Sequence, residues 1–281
     1  MRTLLELIKV RIVLLTTASG VSGYLLHLQT IDREFLLLFA GLFLASAGAC
    51  ALNEYQDRDL DRRMARTRRR PLPSGRVRPI LALWVATVGI LSGLSLLTLA
   101  TPTAGFLGLA AVVGYNGIYT PLKRVSPYAT IPGAVVGALP PAMGWVASGG
   151  ALTDEAIWVV MAFLYVWQLP HFWLLLLHRS GEYEEAGLPS IEQVFGPRRL
   201  SRIAFTWTAA TAVCATLFPL FGLVQSPQFV ALLTLASASL IAVGAGGVLR
   251  GTRLAATRSF VGINIFLLFT MALLAADAVV R

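Results

Sequence analysis

The segment FLLLFAGLFLASAGACALNEYQDRDLD, residues 35 to 61, is apolar up to Leu52 and polar from Asn53 onward. Its apolar part is long enough to cross a bilayer as one helix. Because an α-helix has about 3.6 residues per turn, Asn53, Asp57 and Asp61, spaced four apart, line one stripe of that helix. The segment therefore predicts a membrane-spanning helix that ends in an ordered polar stripe.

The composition extends this prediction to the whole chain. Of its 281 residues, 56% are hydrophobic and 13% are charged, and the mean hydropathy of +0.72 is too high for a soluble domain. We therefore expect an all-α fold: a polytopic membrane helical bundle in which one domain covers residues 1–281 and the N-terminal apolar run is retained as the first span. Apolar stretches mark about nine spans, at residues 12–28, 35–52, 79–100, 103–119, 128–148, 156–178, 203–223, 228–249 and 259–280.

The basic residues follow the predicted topology. Of the 23 Lys and Arg residues, 21 lie before the first span or in alternate loops, and only Arg33 and Arg281 lie elsewhere. The positive-inside rule therefore places the N-terminus and two long loops, residues 53–78 and 179–202, in the cytoplasm. The net charge of +9 is thus a topology signal of a multi-pass protein of the cell inner (cytoplasmic) membrane. We expect membrane lipid as a partner, and no nucleic acid.

The polar stripe has the residue types of a magnesium site. Mg²⁺ keeps several waters and takes one or two carboxylates together with phosphate oxygens, so Asp57 and Asp61 are candidate metal ligands. Asn53 sits at the end of an apolar run, where a polar amide needs a partner. The alternative is a solvated helix whose carboxylates pair with neighbouring arginines. Asp59, on another side of the helix, is better placed for that role.

An arginine-rich loop, RTRRRPLPSGR at residues 66–76, follows the stripe directly. Guanidinium groups bind phosphate oxygens bidentately, and Arg66 and Arg70, four residues apart, are the best candidate pair for a diphosphate. Lys123, in YNGIYTPLKR at the end of the fourth span, reaches the same cytoplasmic layer. The alternatives are an arginine anchor for anionic lipid headgroups and a snorkelling lysine that marks topology.

The sixth span contains WQLPHFW, residues 167–173, in which a proline and a histidine interrupt the apolar run. Polar groups inside a span are functional candidates. His171, flanked by Trp167 and Trp173, is therefore a candidate haem contact, and the alternative is a hydrogen-bonded core histidine on an aromatic stripe. In the loop HRSGEYEEAGLPS that follows, Glu182 and two further glutamates form a second acidic cluster, either a second Mg²⁺ site or ordinary solvation.

Taken in order, these motifs resemble those of the UbiA-type intramembrane prenyltransferases over nearly the full chain. NEYQDRDLDRRMARTRRRPLPSG is similar to the first aspartate-rich motif of that family, and YTPLKR, GALPPAMGW, WQLPHFW and EYEEAGLPS follow in the family's order. Within the family, PPAMGW and PHFW point to the branch that acts on haem. That branch usually has Asp-Asp-Tyr where this chain has Gly181, Glu182 and Tyr183, so one acid is missing and the other is longer.

The resemblance implies a helical bundle around a lipid-accessible cavity. It also implies a Mg²⁺-dependent transfer of the farnesyl group of farnesyl diphosphate to a vinyl group of haem B, with release of diphosphate. Asn53 would orient a metal-bound water or an aspartate. The implied roles are catalysis by Asn53, Asp57, Asp61 and Lys123, metal binding by Asp57, Asp61 and Glu182, diphosphate binding by Arg66, Arg70 and Lys123, and haem binding by Trp167, His171 and Trp173.

Other functions fit parts of the same pattern. Prenyl transfer to a quinone precursor or another aromatic acceptor would use the same aspartates and differ in the residues that line the acceptor site. A membrane transporter would keep its key charges near mid-bilayer, whereas the predicted spans here lack mid-span acids or bases apart from His171. An assembly factor for a membrane complex would have no use for an ordered aspartate stripe beside an arginine loop.

Overall fold

The computed structural model describes residues 2–178, 187–250 and 253–280. Within these ranges the chain is helical and has no β-strand, since a helix satisfies its backbone hydrogen bonds within one apolar segment. Besides α-helices, the described residues include a π-helix (Val113–Tyr119) and a 3₁₀-helix (Phe218–Phe221). The α-helices are α1 (Arg2–Leu7), α2 (Val10–His27), α3 (Arg33–Asp61), α4 (Pro79–Ala100), α5 (Pro102–Val112), α6 (Thr120–Leu122), α7 (Thr130–Ala147), α8 (Glu155–His178), α9 (Ile191–Thr216), α10 (Pro227–Arg250) and α11 (Arg253–Val280).

The helical segments coincide with the predicted spans. In the described ranges, seven helices are long and apolar enough to cross a membrane. The remaining two predicted spans correspond to α2 and to the continuous segment formed by α5, the π-helix and α6. The all-helical, multi-pass membrane fold is therefore confirmed, while the lipid-accessible cavity stays a prediction.

The chain divides into two compact units. The first contains α1 to α7, and the second contains α8 to α11. A single domain over residues 1–281 stays a prediction.

In the first unit, small residues let helices approach closely. A Cβ atom on Gly48 of α3 would lie 2.5 Å from the backbone of α4, and one on Gly93 of α4 would lie 2.3 Å from the backbone nitrogen of Ala45. The same feature joins α2 to α7, where a Cβ atom on Gly23 would lie 2.0 Å from the carbonyl oxygen of Pro141. Glycine permits this backbone approach, which packs membrane helices by van der Waals contact.

The limits of α3 are set by its flanking residues. Its first turn is capped by Asp32, whose carboxylate accepts a hydrogen bond of 2.8 Å from the backbone nitrogen of Phe35. The Tyr24 hydroxyl donates to the same carboxylate. After Asp61 the chain turns repeatedly through residues 62–78, where Pro71 and a second proline cannot continue a helix. We call residues 62–78 the arginine loop.

The second unit is built around aromatic contacts of α8. This helix packs against α9 and α11, and α10 packs against the same two helices. Phe163 meets Phe218 edge to face with ring centroids 5.2 Å apart. The indole nitrogen of Trp167 donates a hydrogen bond of 3.0 Å to the carbonyl oxygen of Ile263. The first contact joins α8 to the 3₁₀-helix, and the second joins α8 to α11.

Large apolar side chains cover the outward faces of the helices. Trp84 and Leu91 of α4, Phe106 of α5, Leu235 of α10 and Leu268 of α11 are all exposed. A soluble protein rarely presents such side chains on several helices at once. In a bilayer they face hydrocarbon, so their exposure fits a multi-pass membrane protein.

Candidate functional site

The polar stripe at the end of α3 is buried rather than solvated. Asn53, Asp57 and Asp61 are 2%, 2% and 3% exposed. Asp59 has an exposed side chain and pairs with Arg62 at 3.4 Å, as its different helical face predicts. A buried charge needs a partner to offset its lost hydration, so the contacts of the stripe define what the site can do.

Asn53 links three elements through its side chain. Its Nδ2 donates hydrogen bonds to Asp57 Oδ2 at 3.0 Å and to Thr120 Oγ1 at 2.9 Å. Its Oδ1 accepts a hydrogen bond of 2.5 Å from Lys9 Nζ. The amide therefore holds one oxygen of Asp57 in place, and the catalytic role of Asn53 stays a prediction.

Asp57 is held by two cations from the end of α6. Lys123 Nζ pairs with Asp57 Oδ2, and an Arg124 guanidinium nitrogen lies 3.2 Å from Asp57 Oδ1. Lys123 also lies 5.6 Å from the centre of the Tyr119 ring, within the range of a cation–π interaction. The structure thus brings Lys123 to the predicted metal ligand, 66 residues away in sequence.

Asp61 is held by the arginine loop. Arg70 donates a hydrogen bond of 2.7 Å to Asp61 Oδ2, and the Thr67 hydroxyl donates one of 3.0 Å to the Asp61 carbonyl. Arg66 lies in the same loop and is exposed. Because the loop consists of turns, the helical spacing that suggested the pair of Arg66 and Arg70 does not apply here. Their shared role in diphosphate binding stays a prediction.

The arginine loop is anchored on α3 through Glu54. This side chain is fully buried, and its Oε1 accepts a hydrogen bond of 3.2 Å from the backbone nitrogen of Leu72. Leu72 is itself buried against Leu7 and Ala51. The anchor holds the loop two residues after Arg70, so it helps to keep that guanidinium beside the stripe.

Lys9 is a site residue that sequence reasoning missed. It lies between α1 and α2 with a left-handed backbone, φ 52°, and contacts Asn53 from 44 residues away. Burial, together with the positive charges of Arg70 and Lys123, lowers the pKa of Lys9 to about 8. Its sequence context, LIKVR, resembles an ordinary basic flank of a first span, so no local signal separates it from a topology residue.

The charges around the stripe favour a polyanion. In the described residues, Lys9, Arg70, Lys123 and Arg124 surround the stripe, against the carboxylates of Asp57, Asp61 and Glu54. Arg70, Lys123 and Arg124 now pair with the aspartates. A bound diphosphate would share these three cations, and a divalent metal would take their place on the carboxylates. The donor set therefore suits a metal diphosphate.

The carboxylates also fit the implied magnesium ion. Two aspartates one turn apart supply the one or two carboxylates that Mg²⁺ takes alongside phosphate oxygens. Within residues 2–178, 187–250 and 253–280, no group of three His, Cys, Asp or Glu side chains forms a complete metal cage. The third predicted ligand, Glu182, lies outside the described residues. Nearby in sequence, Leu188 packs against Met64 of the arginine loop.

The predicted haem contacts lie on α8 in the second unit. The His171 ring stacks against Trp167, with centroids 4.7 Å apart, and lies 5.1 Å from Phe260. Among the described residues, neither His171 Nδ1 nor Trp173 Nε1 has a hydrogen-bond partner, although both atoms are buried. Buried polar atoms without partners are uncommon, so both are available to a ligand. Their role in haem binding stays a prediction.

The family of the chain follows from comparison with known proteins. The model of the UbiA prenyltransferase family matches residues 13–274. A protoheme IX farnesyltransferase of Geobacter sulfurreducens is 38% identical over 219 residues, which is 78% of this chain and 81% of that protein. A protoheme IX farnesyltransferase of Oleidesulfovibrio alaskensis is 34% identical over 281 residues, covering 100% of this chain and 98% of that protein.

Solved structures share the fold at lower sequence identity. A digeranylgeranylglyceryl phosphate synthase structure superposes with a TM-score of 0.84 at 17% identity, covering 100% of this chain and 99% of that chain. A UbiA homologue from Archaeoglobus fulgidus, bound to GPP and Mg²⁺, has a TM-score of 0.68 at 15% identity and covers 97% and 99%. The fold, the aspartate stripe and the sequence matches lead to one conclusion: this chain belongs to the UbiA prenyltransferase family.

Proposed function

We propose that this protein transfers the farnesyl group of farnesyl diphosphate to a vinyl group of haem B, giving the hydroxyethylfarnesyl group of haem O. The observation that carries the proposal is the buried stripe of Asn53, Asp57 and Asp61 with its surrounding cations. The choice of haem as acceptor is supported by relatives of 34–41% identity that carry the name protoheme IX farnesyltransferase.

The cations of the site bind and stabilise the diphosphate as it leaves. In the reaction, the bond between farnesyl C1 and the diphosphate oxygen breaks, and its electron pair leaves with diphosphate. Arg70 and Lys123, freed from the aspartates, face the negative charge that develops, with Arg66 from the same loop. Charged donors fixed in advance around a developing anion supply a large part of such a rate enhancement.

Asp57 and Asp61, with Glu182, would hold Mg²⁺. When bound, the metal would act as a Lewis acid and neutralise charge on the diphosphate oxygens. Asn53 then keeps Asp57 in a fixed orientation through the hydrogen bond to its Oδ2. The identity of the metal is part of the proposal, and it is supported by the match between these ligands and the preference of Mg²⁺ for oxygen.

The acceptor forms the new carbon–carbon bond. A vinyl carbon of haem B attacks farnesyl C1, and water adds to the cation that remains on the vinyl group, releasing a proton. An apolar surrounding limits capture of the farnesyl cation by water before this attack. Trp167, His171 and Trp173 are the residues that we assign to the haem, because of their aromatic contacts and the two unpartnered nitrogens.

The cellular location is also part of the proposal. We infer that the protein lies in the cell inner membrane with its N-terminus and the arginine loop in the cytoplasm. The support is the distribution of Lys and Arg among alternate loops. This orientation would give the site access to a soluble metal ion and release diphosphate into the cytoplasm.

To test this proposal, membranes that contain the protein are incubated with haem B, farnesyl diphosphate and Mg²⁺. We expect a farnesylated haem, identified by chromatography and mass, that disappears when EDTA removes the metal. Parallel reactions contain a hydroxybenzoate or a naphthoate in place of haem. Prenylation of those acceptors, with haem left unchanged, would overturn the haem assignment and retain prenyl transfer.

A further inference from the structure

The segment between α5 and α6 winds as a π-helix at Val113–Tyr119. A π-helix bonds each residue to the fifth one along, and such segments are rare and frequently occur at functional sites. One extra residue in a turn rotates every later side chain by about 100° around the helix axis. The π-helix therefore determines which face of the segment carries Thr120 and Lys123.

Two amide side chains attach this π-helix to α3. Asn116, 4% exposed, donates from Nδ2 to Gln56 Oε1 at 3.1 Å and to the Ala49 carbonyl at 3.0 Å. In return, Gln56 Nε2 donates to the Asn116 carbonyl at 3.0 Å. We call Gln56 and Asn116 the amide clamp. Its hydrogen bonds are reciprocal, so they fix both the distance and the register between the two helices.

A second contact connects the π-helix to the stripe. Thr120 Oγ1 accepts from Asn53 Nδ2 at 2.9 Å and donates to the Tyr115 carbonyl at 2.8 Å. The backbone carbonyl of Gln56 also accepts from Arg124 at 2.5 Å. The segment from the π-helix to Arg124 thus meets α3 at successive positions along the stripe.

We propose that the amide clamp is the positioning element of the diphosphate site. Gln56 and Asn116 hold the π-helix in register with α3, and this register keeps Lys123 opposite Asp57. Neither Gln56 nor Asn116 carries charge or faces a reacting group through its amide, so both act through Lys123. The inference rests on the proposed function insofar as that function assigns diphosphate to this site.

The test is a double-mutant cycle of Asn116→Ala and Lys123→Met in the full-length protein. The dissociation constant of inorganic diphosphate with Mg²⁺ is measured for the purified wild type, both single variants and the double variant. We expect each single variant to bind about tenfold more weakly, as for loss of one charge-assisted hydrogen bond. The double variant should bind no more weakly than Lys123→Met alone, because Asn116 acts through that lysine.

The contrary outcome is that the two substitutions weaken diphosphate binding independently of each other. If the loss in the double variant equals the product of the two single losses, Asn116 acts independently of Lys123 and the proposal is overturned. A second cycle with Gln56→Leu examines the other half of the clamp. If both clamp variants lose their cooperative thermal transition, the pair is required for folding and the positioning role is rejected.

Thr17→Val is the matched control. Thr17 is a buried polar residue of the same unit, and its hydroxyl donates to the Val13 carbonyl at 2.9 Å. This variant loses a buried hydrogen bond away from the site, so we expect unchanged diphosphate binding. Failure of the proposed function appears separately, as wild-type protein that binds Mg²⁺-diphosphate and produces no farnesylated haem.

Discussion

The stripe at the end of α3 and the aromatic region of α8 differ in the partners of their buried polar atoms. Asp61 is paired with Arg70 from the loop that follows α3, and Asp57 is paired with Lys123 and Arg124, which lie 66 and 67 residues away in sequence. On α8, His171 Nδ1 and Trp173 Nε1 are buried with no partner among the described residues. The first region pairs its buried charges with one another, whereas the second leaves two buried nitrogens among aromatic rings. We therefore propose different ligands for the two regions.

We expect the greatest loss of activity from Asp57→Asn, which removes one charge of the stripe. The amide keeps the size of the side chain and removes the charge that pairs with Lys123 and Arg124 and that we propose to hold the metal. We expect turnover to fall by about 10²- to 10³-fold, as when charge stabilisation is lost at a reacting centre. The measurement is the rate of diphosphate release in membranes with equal amounts of protein.

Asp59→Asn is the control for that variant, because Asp59 lies on the same helix and its exposed carboxylate pairs only weakly with Arg62. We expect nearly wild-type turnover. Retained Mg²⁺-dependent turnover in Asp57→Asn would remove Asp57 from the metal site.

The next largest effect is expected for Arg70→Leu. The substitution removes the guanidinium beside Asp61 while the backbone anchor at Leu72 remains. We expect diphosphate to bind about 10- to 100-fold more weakly, the range for a lost charged hydrogen bond. Titration calorimetry with Mg²⁺-diphosphate measures the effect, and Arg69→Leu, in the same loop and exposed, should bind as the wild type does.

His171→Phe tests the aromatic region of α8. Phenylalanine keeps the aromatic contacts with Trp167 and Phe260 and removes the ring nitrogens. We expect the KM for haem B to rise about fivefold, as for one hydrogen bond lost to a ligand, with unchanged diphosphate affinity. His178 lies on the same helix as His171 and hydrogen-bonds Thr257 of α11. His178→Phe should leave the KM for haem unchanged. A matching loss of diphosphate affinity in His171→Phe would contradict the separate roles.

The smallest effect concerns pH. The pKa of Lys9 is lowered from 10.5 to about 8, so its positive charge is present below that pH and is lost as pH rises through it. We therefore expect diphosphate affinity to decline through about pH 8 in the wild type. Lys9→Arg keeps its charge throughout this range and should show a flatter profile. Parallel profiles for the two proteins would show that another group titrates.

Local sequence was enough to predict the spans and the stripe. Membrane spans depend on the length and hydropathy of contiguous residues, and the stripe depends on the fixed period of one helix. The exposed position of Asp59 follows from the same period, and the need of Asn53 for a partner follows from its place at the end of the apolar run. For these reasons the residues of α3 alone predict both its membrane span and its polar end.

The same reasoning failed where residues distant in sequence meet. Lys9 contacts Asn53 across 44 residues, and the i, i+4 argument for Arg66 and Arg70 assumed a helix where the chain forms turns. Nothing in YNGIYTPLKR distinguishes a π-helix from an α-helix. The register of that segment depends on Asn116 finding Gln56 on another helix.

Residues that are neighbours along the chain therefore predict a multi-pass helical membrane protein and the side chains of a candidate metal-diphosphate site. Tertiary packing determines which cations meet each aspartate, how the arginine loop is anchored on Glu54, and how the π-helix turns Lys123 toward Asp57. The physical reason is that a buried carboxylate is stabilised by whichever cation the packed helices bring to it, and packing depends on contacts between segments that are far apart in the chain.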